Sequence, residues 1–182
     1  LVASPVQTNE VARSAALIPG IGPAVKASGV PRVRLLEVGA SAGLTMRLDQ
    51  FRFEIGDRSY GPPDSPVTFS HPWAGEAPDL ATQWELVERR GCDPSPIDPL
   101  STDGCLTLMS YVGGDQLNRL ERLRGALSLA KTVPAQVDQA VGSSWLRERF
   151  AEPTDAMMIV WHSVVMQYMS PEERAAVDNA TA

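Results

Sequence analysis

The stretch Glu37-Val38-Gly39-Ala40-Ser41-Ala42-Gly43-Leu44 follows an apolar run that includes Val33, Leu35 and Leu36. Such a run ending in a glycine-rich turn predicts a buried strand over 32–38 that turns into a helix over 43–50. The turn carries two chemistries. Gly39-x-Ser41-x-Gly43 matches G-x-S-x-G, the strained strand-to-helix turn that exposes a nucleophilic serine. Read with its acidic leader, it is a small-residue turn beneath a cofactor. Free backbone N–H groups would approach the ligand, and Glu37 would accept hydrogen bonds from a cationic or hydroxyl-bearing group.

A serine nucleophile needs a histidine to take its proton and a carboxylate to orient that histidine. Asp155 and His162 stand in a suitable order. They are only about seven positions apart, however, across what reads as one strand, so their side chains are not expected to meet. Ser41 also follows the first strand, with no glycine-rich oxyanion segment upstream. The hydrolase reading is therefore the weaker of the two.

The rest of the chain alternates helices and strands. Ser4-Pro5-Val6-Gln7 reads as a helix start, Val11, Ala15 and Ile18 recur at helical spacing, and Pro19-Gly20 is expected to stop the helix ahead of a loop. Residues 51–80 read as a β-hairpin-like insertion, with alternation over 51–55, turn residues at 56–57 and 61–64, and a short strand at 67–69. Residues 80–89 read as helical, 103–112 and 115–131 as a helix broken at Gly113-Gly114, 133–137 as a strand and 143–150 as a helix. Residues 156–161 form a continuous apolar run of the kind buried centrally in a parallel sheet, and Ser170-Pro171-Glu172-Glu173 caps a further helix. Strands alternating with helices predict an α/β fold with a doubly wound, mostly parallel sheet.

At 182 residues, one domain over 1–182 is the expectation, and a sizeable core is affordable. A net charge of −6 argues against a nucleic-acid or anionic-membrane partner. The longest apolar run, 156–161, is too short to span a bilayer, and the first residues lack the pattern of a signal peptide. Two cysteines and two histidines make neither a disulfide framework nor a zinc-type ligand set, and fit a cytoplasmic protein without a bound metal.

The glycine-rich turn after the first strand resembles the acidic first loop of S-adenosylmethionine-dependent methyltransferases, which are Rossmann-like. Gly91-Cys92-Asp93-Pro94-Ser95-Pro96 resembles the end of their second strand, and the segment 159–173 their fourth strand and following helix. Segments such as LLEVGASAGL, ERRGCD and SYV-x-x-DQ further resemble, over nearly the whole chain, an uncharacterised bacterial domain-of-unknown-function family with methyltransferase-like features. Members of that family are longer at both ends, so the chain is expected to be a fragment.

The resemblance implies a Rossmann-like sheet of methyltransferase type that binds S-adenosylmethionine and passes its methyl group to a small-molecule or protein acceptor. Glu37, Gly39, Ser41, Gly43 and Asp93 would bind the cofactor, with Asp93 on the ribose hydroxyls and Glu54 and Asp57 as its rivals. Asn9, Glu10 and Arg13 would line the pocket, and residues 51–80 would shape its acceptor side. His162, at the end of a strand, would face the acceptor as a base or orienting group. The chain departs from the resemblance at Gly113-Gly114 and Met166. It also departs at 141–146, where methyltransferases often carry an acid for the adenine amino group and this chain reads Val141-Gly142-Ser143-Ser144-Trp145-Leu146. That departure keeps open a non-catalytic module that binds a nucleoside or a partner protein.

Overall fold

A computed structural model describes residues 9–76 and 78–182. The proposed helix start at Ser4-Pro5 lies outside the described residues. Arg32–Val38 forms strand β1, the axis of a four-stranded sheet whose order is β6-β5-β1-β7. Its neighbours are β5 (Glu85–Asp93) and β7 (Met157–His162), and β6 (Gln136–Gln139) flanks β5. Every pairing in this sheet is parallel. Successive β1 residues serve opposite faces, as the period of two requires. Val33 and Leu35 join the core beneath helices α1 (Ser14–Ser28) and α3 (Leu117–Ala130). Leu36 and Val38 join a second core beneath α4 (Gly142–Phe150) and α5 (Pro171–Thr181). Helices on both faces of a parallel sheet make this an α/β architecture compatible with a Rossmann-like fold.

Several sequence expectations are corrected by tertiary contacts. Helix α1 does not stop at Pro19-Gly20 but runs to Ser28, with Gly29 as a left-handed cap. Pro19 has no N–H to give the Ala15 carbonyl, and the Trp73 indole N–H takes its place at 2.7 Å. The expected helix over 80–89 is absent: 80–84 is irregular and Glu85 starts β5, a strand inside the sheet. Its charges are neutralised from neighbouring elements: Glu88 by Arg34, Arg89 by Asp49 and Arg90 by Asp138. The strand expected at 133–137 begins at Gln136, because the Val133 N–H still closes α3 on the Leu129 carbonyl. The helix after the glycine turn is a 3-10 segment, Thr45–Gln50, broken at Arg47. The buried Arg47 guanidinium donates to the Gly43 and Val133 carbonyls. Strand β7 lies at the sheet edge, not its centre, and is only half-buried.

Residues 51–80 hold a sheet of their own, made of β2 (Arg52–Ile55), β3 (Arg58–Tyr60) and β4 (Thr68–Ser70). Strands β2 and β3 form an antiparallel hairpin, and β4 adds parallel to β2. Phe53 stacks between Phe69 and Trp73, with ring centroids 5.2 and 5.6 Å away. The bond from Trp73 to Ala15 ties this layer to α1. Helix α2 (Thr102–Ser110), capped by the Ser101 hydroxyl on the Gly104 N–H, completes the chain of elements.

Candidate functional site

In a parallel sheet all carboxyl ends meet at one edge, and a crevice opens where the strand order reverses. Here the order reverses between β1 and β7. A cavity of about 630 Å³ opens at that edge. Of the residues proposed from sequence, it gathers Asn9, Glu10, Arg13, Glu37, Gly39, Ser41 and Asp93 into one lining.

Backbone strain concentrates at this cavity. Asn9, Ser41 and Val164, three of the four non-glycine residues with positive φ among the described residues, line it. Val164, at φ +70°, is the costliest, because a β-branched side chain clashes in that region. Strain of this kind persists where the surrounding structure enforces it, and it clusters at functional sites.

Asn9 sets the shape of the glycine turn from outside. Its Nδ2 donates to the Ala40 carbonyl at 2.8 Å, and its Oδ1 accepts from the Leu44 N–H at 3.0 Å. Gly39 adopts φ +73°, and a Cβ there would sit 2.5 Å from Val165 Cγ2. Gly43 adopts φ +65° and packs against Met46 and Val137; it lies behind the turn and outside the lining.

Of the N–H groups from Gly39 to Leu44, all but that of Ala42 are already spent within the protein. Gly39 and Ala40 both donate to the Cys92 carbonyl, Ser41 to Asp93 Oδ2, Gly43 to the Ala40 carbonyl and Leu44 to Asn9. A phosphate cradle needs such groups unspent. This turn is therefore a rigid floor and not an anion nest.

Asp93 is engaged at both oxygens, Oδ2 by the Ser41 N–H and Oδ1 by the Ser95 N–H, each at 2.9 Å. A carboxylate has about four lone-pair sites, so capacity for a ligand hydroxyl remains. Glu10 caps the first helical turn on the Ala12 N–H and pairs with Arg119 of α3. Arg13 spans from that turn to the end of β7, 3.3 Å from the Ser163 hydroxyl and 3.5 Å from its carbonyl.

Two polar atoms in the lining are buried without a partner: Glu37 Oε2 and Ser41 Oγ. Glu37 is 2% exposed. Burial pushes its carboxyl up to about 8, and the nearby Asp93 charge adds to the rise. The Arg13 charge opposes it. So does the Trp161 indole N–H, which lies toward the carboxyl but makes no well-formed hydrogen bond with it. Unpartnered buried groups of this kind are uncommon in native proteins, and each calls for an explanation. Because Ser41 Oγ meets no hydrogen-bonding group among the described residues, no base is in place to take its proton.

The structure separates other candidates from the site. His162 stands at the carboxyl edge, in register with Val38, so it shares Val38's sheet face and not that of Glu37. It is exposed and lies outside the lining. Glu54 and Asp57, like the other described residues of 51–80, contribute nothing to the lining, so they do not shape this cavity as expected.

Glu173 is a site residue that sequence reasoning missed. It reads as the third residue of a helix cap, and its N–H does bond the Ser170 hydroxyl. Its carboxylate, however, crosses to α4, where Ser143 gives it both N–H (2.8 Å) and hydroxyl (2.7 Å). A carboxylate thus stands beside Val141 and Gly142, where the sequence has none. The segment 163–169 supplies the apolar rim, with Val164 and Tyr168 exposed. Among the described residues no group of three or more His, Cys, Asp or Glu could hold a metal ion, and no helix is long and apolar enough to cross a membrane.

Fold and site together define an α/β protein with a parallel sheet and a ligand-sized cavity at its switch point. The chain belongs to a family described as uncharacterized proteins conserved in bacteria, domain of unknown function 2332, whose model matches residues 1–182. No curated protein and no solved structure matches it.

Proposed function

We propose that this protein binds S-adenosylmethionine in the cavity over Gly39 and Ser41 and passes its methyl group to a small-molecule or protein acceptor. One observation carries the reading: Glu37 and Ser41, each with a buried polar atom that has no partner, line a cavity at the switch point of a parallel sheet. The spent N–H groups of the turn favour a nucleoside without phosphates over a nucleotide.

The residues present fit such a ligand. Asp93 keeps lone pairs for ribose hydroxyls, Glu37 meets a polar or charged tail, and Glu173 offers a carboxylate at the far wall. The bound cofactor would supply an already activated methyl group, so the chain's own task is to position the reactants and exclude water. The apolar rim of Val164, Val165 and Met169 excludes water at the mouth. His162 is reached in this reading only by an acceptor that lies across the rim.

Calorimetry and thermal shift with S-adenosylmethionine and S-adenosylhomocysteine test the reading. Saturable one-to-one binding is expected, with a stabilisation of about 2.7 kcal/mol at a hundredfold excess over Kd. Absence of both heat and shift for both ligands overturns it. Binding without methyl transfer to any acceptor leaves the nucleoside-binding module, which the placement of His162 outside the lining favours.

A further inference from the structure

The charged side chains that line the cavity are Glu10, Arg13, Glu37, Asp93 and Glu173. Arg13 is the one basic member among the described residues, and Glu10 is already matched by Arg119. Asp93 and Glu173 spend their oxygens on neutral N–H and O–H donors and not on a cation. A concave, low-dielectric site with this excess concentrates cations and repels anions.

Glu37 sits at the floor of that field. The groups that face it are Arg13 from the first helical turn, Asp93 from the end of β5 and the Trp161 indole N–H from β7. With Oε2 buried and unpartnered, the ionised carboxylate would be poorly solvated, and the free protein keeps the group as a neutral acid near neutral pH.

We propose that the cavity takes a cationic ligand group against Glu37, whose buried Oε2 has no partner among the described residues, and that a proton leaves the site as the ligand enters. The inference rests on the nucleoside-cofactor reading and names the charge that the ligand must bring. An ammonium or sulfonium entering beside Oε2 supplies the partner that solvent cannot. The carboxyl O–H bond breaks, its electron pair stays on the oxygen, and the proton leaves to the buffer. Ligand affinity then climbs with pH by up to about tenfold per unit and levels off once free Glu37 ionises.

The test is calorimetry on the full chain at pH 7 in two buffers of different ionisation enthalpy. S-adenosylmethionine, S-adenosylhomocysteine and adenosine are the probes, with Glu37→Gln alongside the natural protein. The first two probes share an α-carboxylate and an ammonium, the first adds a sulfonium, and the third carries none of these. Proton release with the first two assigns the ammonium to Glu37, and release with the first alone assigns the sulfonium. Adenosine is expected to bind without release. Glu37→Gln, which keeps the neutral shape, is expected to abolish release and to weaken the cationic probes about 10- to 100-fold, leaving adenosine within about twofold. Binding of S-adenosylmethionine with no proton released, or release that persists in Glu37→Gln, overturns this inference alone. Failure of all three probes to bind overturns the cofactor reading and this inference together.

Discussion

Asn9 holds the glycine turn by two hydrogen bonds, so Asn9→Ala is the most direct test of how that turn is built. The substitution strands the Leu44 N–H, on a buried residue, and removes one of two donors from the Ala40 carbonyl, which keeps the Gly43 N–H. A buried group left without a partner costs about 1–3 kcal/mol, so the loss from the Leu44 N–H is about 1–3 kcal/mol. Asn9 also holds φ +36°, a region asparagine enters more readily than alanine, and that adds to the loss. Asn9→Asp separates the two bonds. It keeps an acceptor for Leu44 but sets a carboxylate oxygen against the Ala40 carbonyl, so it is expected to lose stability as well. Urea unfolding followed by circular dichroism and by tryptophan fluorescence measures both, with an unchanged m-value taken as the sign that only native stability moved. A loss below about 0.5 kcal/mol for Asn9→Ala, within the range of ordinary surface substitutions, would refute the claim that Asn9 holds the turn.

Further outcomes follow from the same geometry. The Glu37 carboxyl is raised from 4.5 to about 8, so the unfolded chain ionises first and folding takes up a proton between those values. The contribution of Glu37 to stability is therefore fully present below pH 4.5, falls as pH rises through about 8 and then levels, with a ceiling near 5 kcal/mol at ~1.4 kcal/mol per pH unit. Glu37→Gln should remove that slope in urea titrations across the interval, and parallel curves for the two proteins would refute it. Gly39→Ala meets Val165 and a left-handed backbone. It should lower stability by about 2–4 kcal/mol, read as a fall in Tm, so Gly39 variants report on folding before they report on binding. His162→Ala, at an exposed position outside the lining, should change both cofactor affinity and Tm little, measured by calorimetry and thermal melts. A large loss of affinity would place the imidazole in the cavity.

What was legible in the sequence is what local pattern determines. The apolar run 32–38 and the glycines behind it marked the buried strand and its turn, because a side-chain-free position is needed where φ is positive. Ser170-Pro171 marked the start of α5 for an equally local reason, a hydroxyl reaching an N–H three residues on. The candidate residues Glu37, Ser41 and Asp93 were likewise legible, since strand ends in a parallel sheet converge on one edge.

Tertiary structure decided the rest. Glu88, Arg89 and Arg90 look like a helix surface until Arg34, Asp49 and Asp138 arrive from other elements to neutralise them in a strand. Pro19 looks like a helix stop until Trp73, far along the chain, supplies the missing donor. The N–H groups of Gly39, Ala40, Ser41 and Leu44 look free until Asn9, Cys92 and Asp93 consume them. Glu173 looks like part of a helix cap until α4 packs alongside α5 and takes its carboxylate. In each case the deciding partner lies tens of residues away. The energy that settles the outcome is that of a buried polar group finding or losing its partner, a quantity that local sequence pattern does not carry.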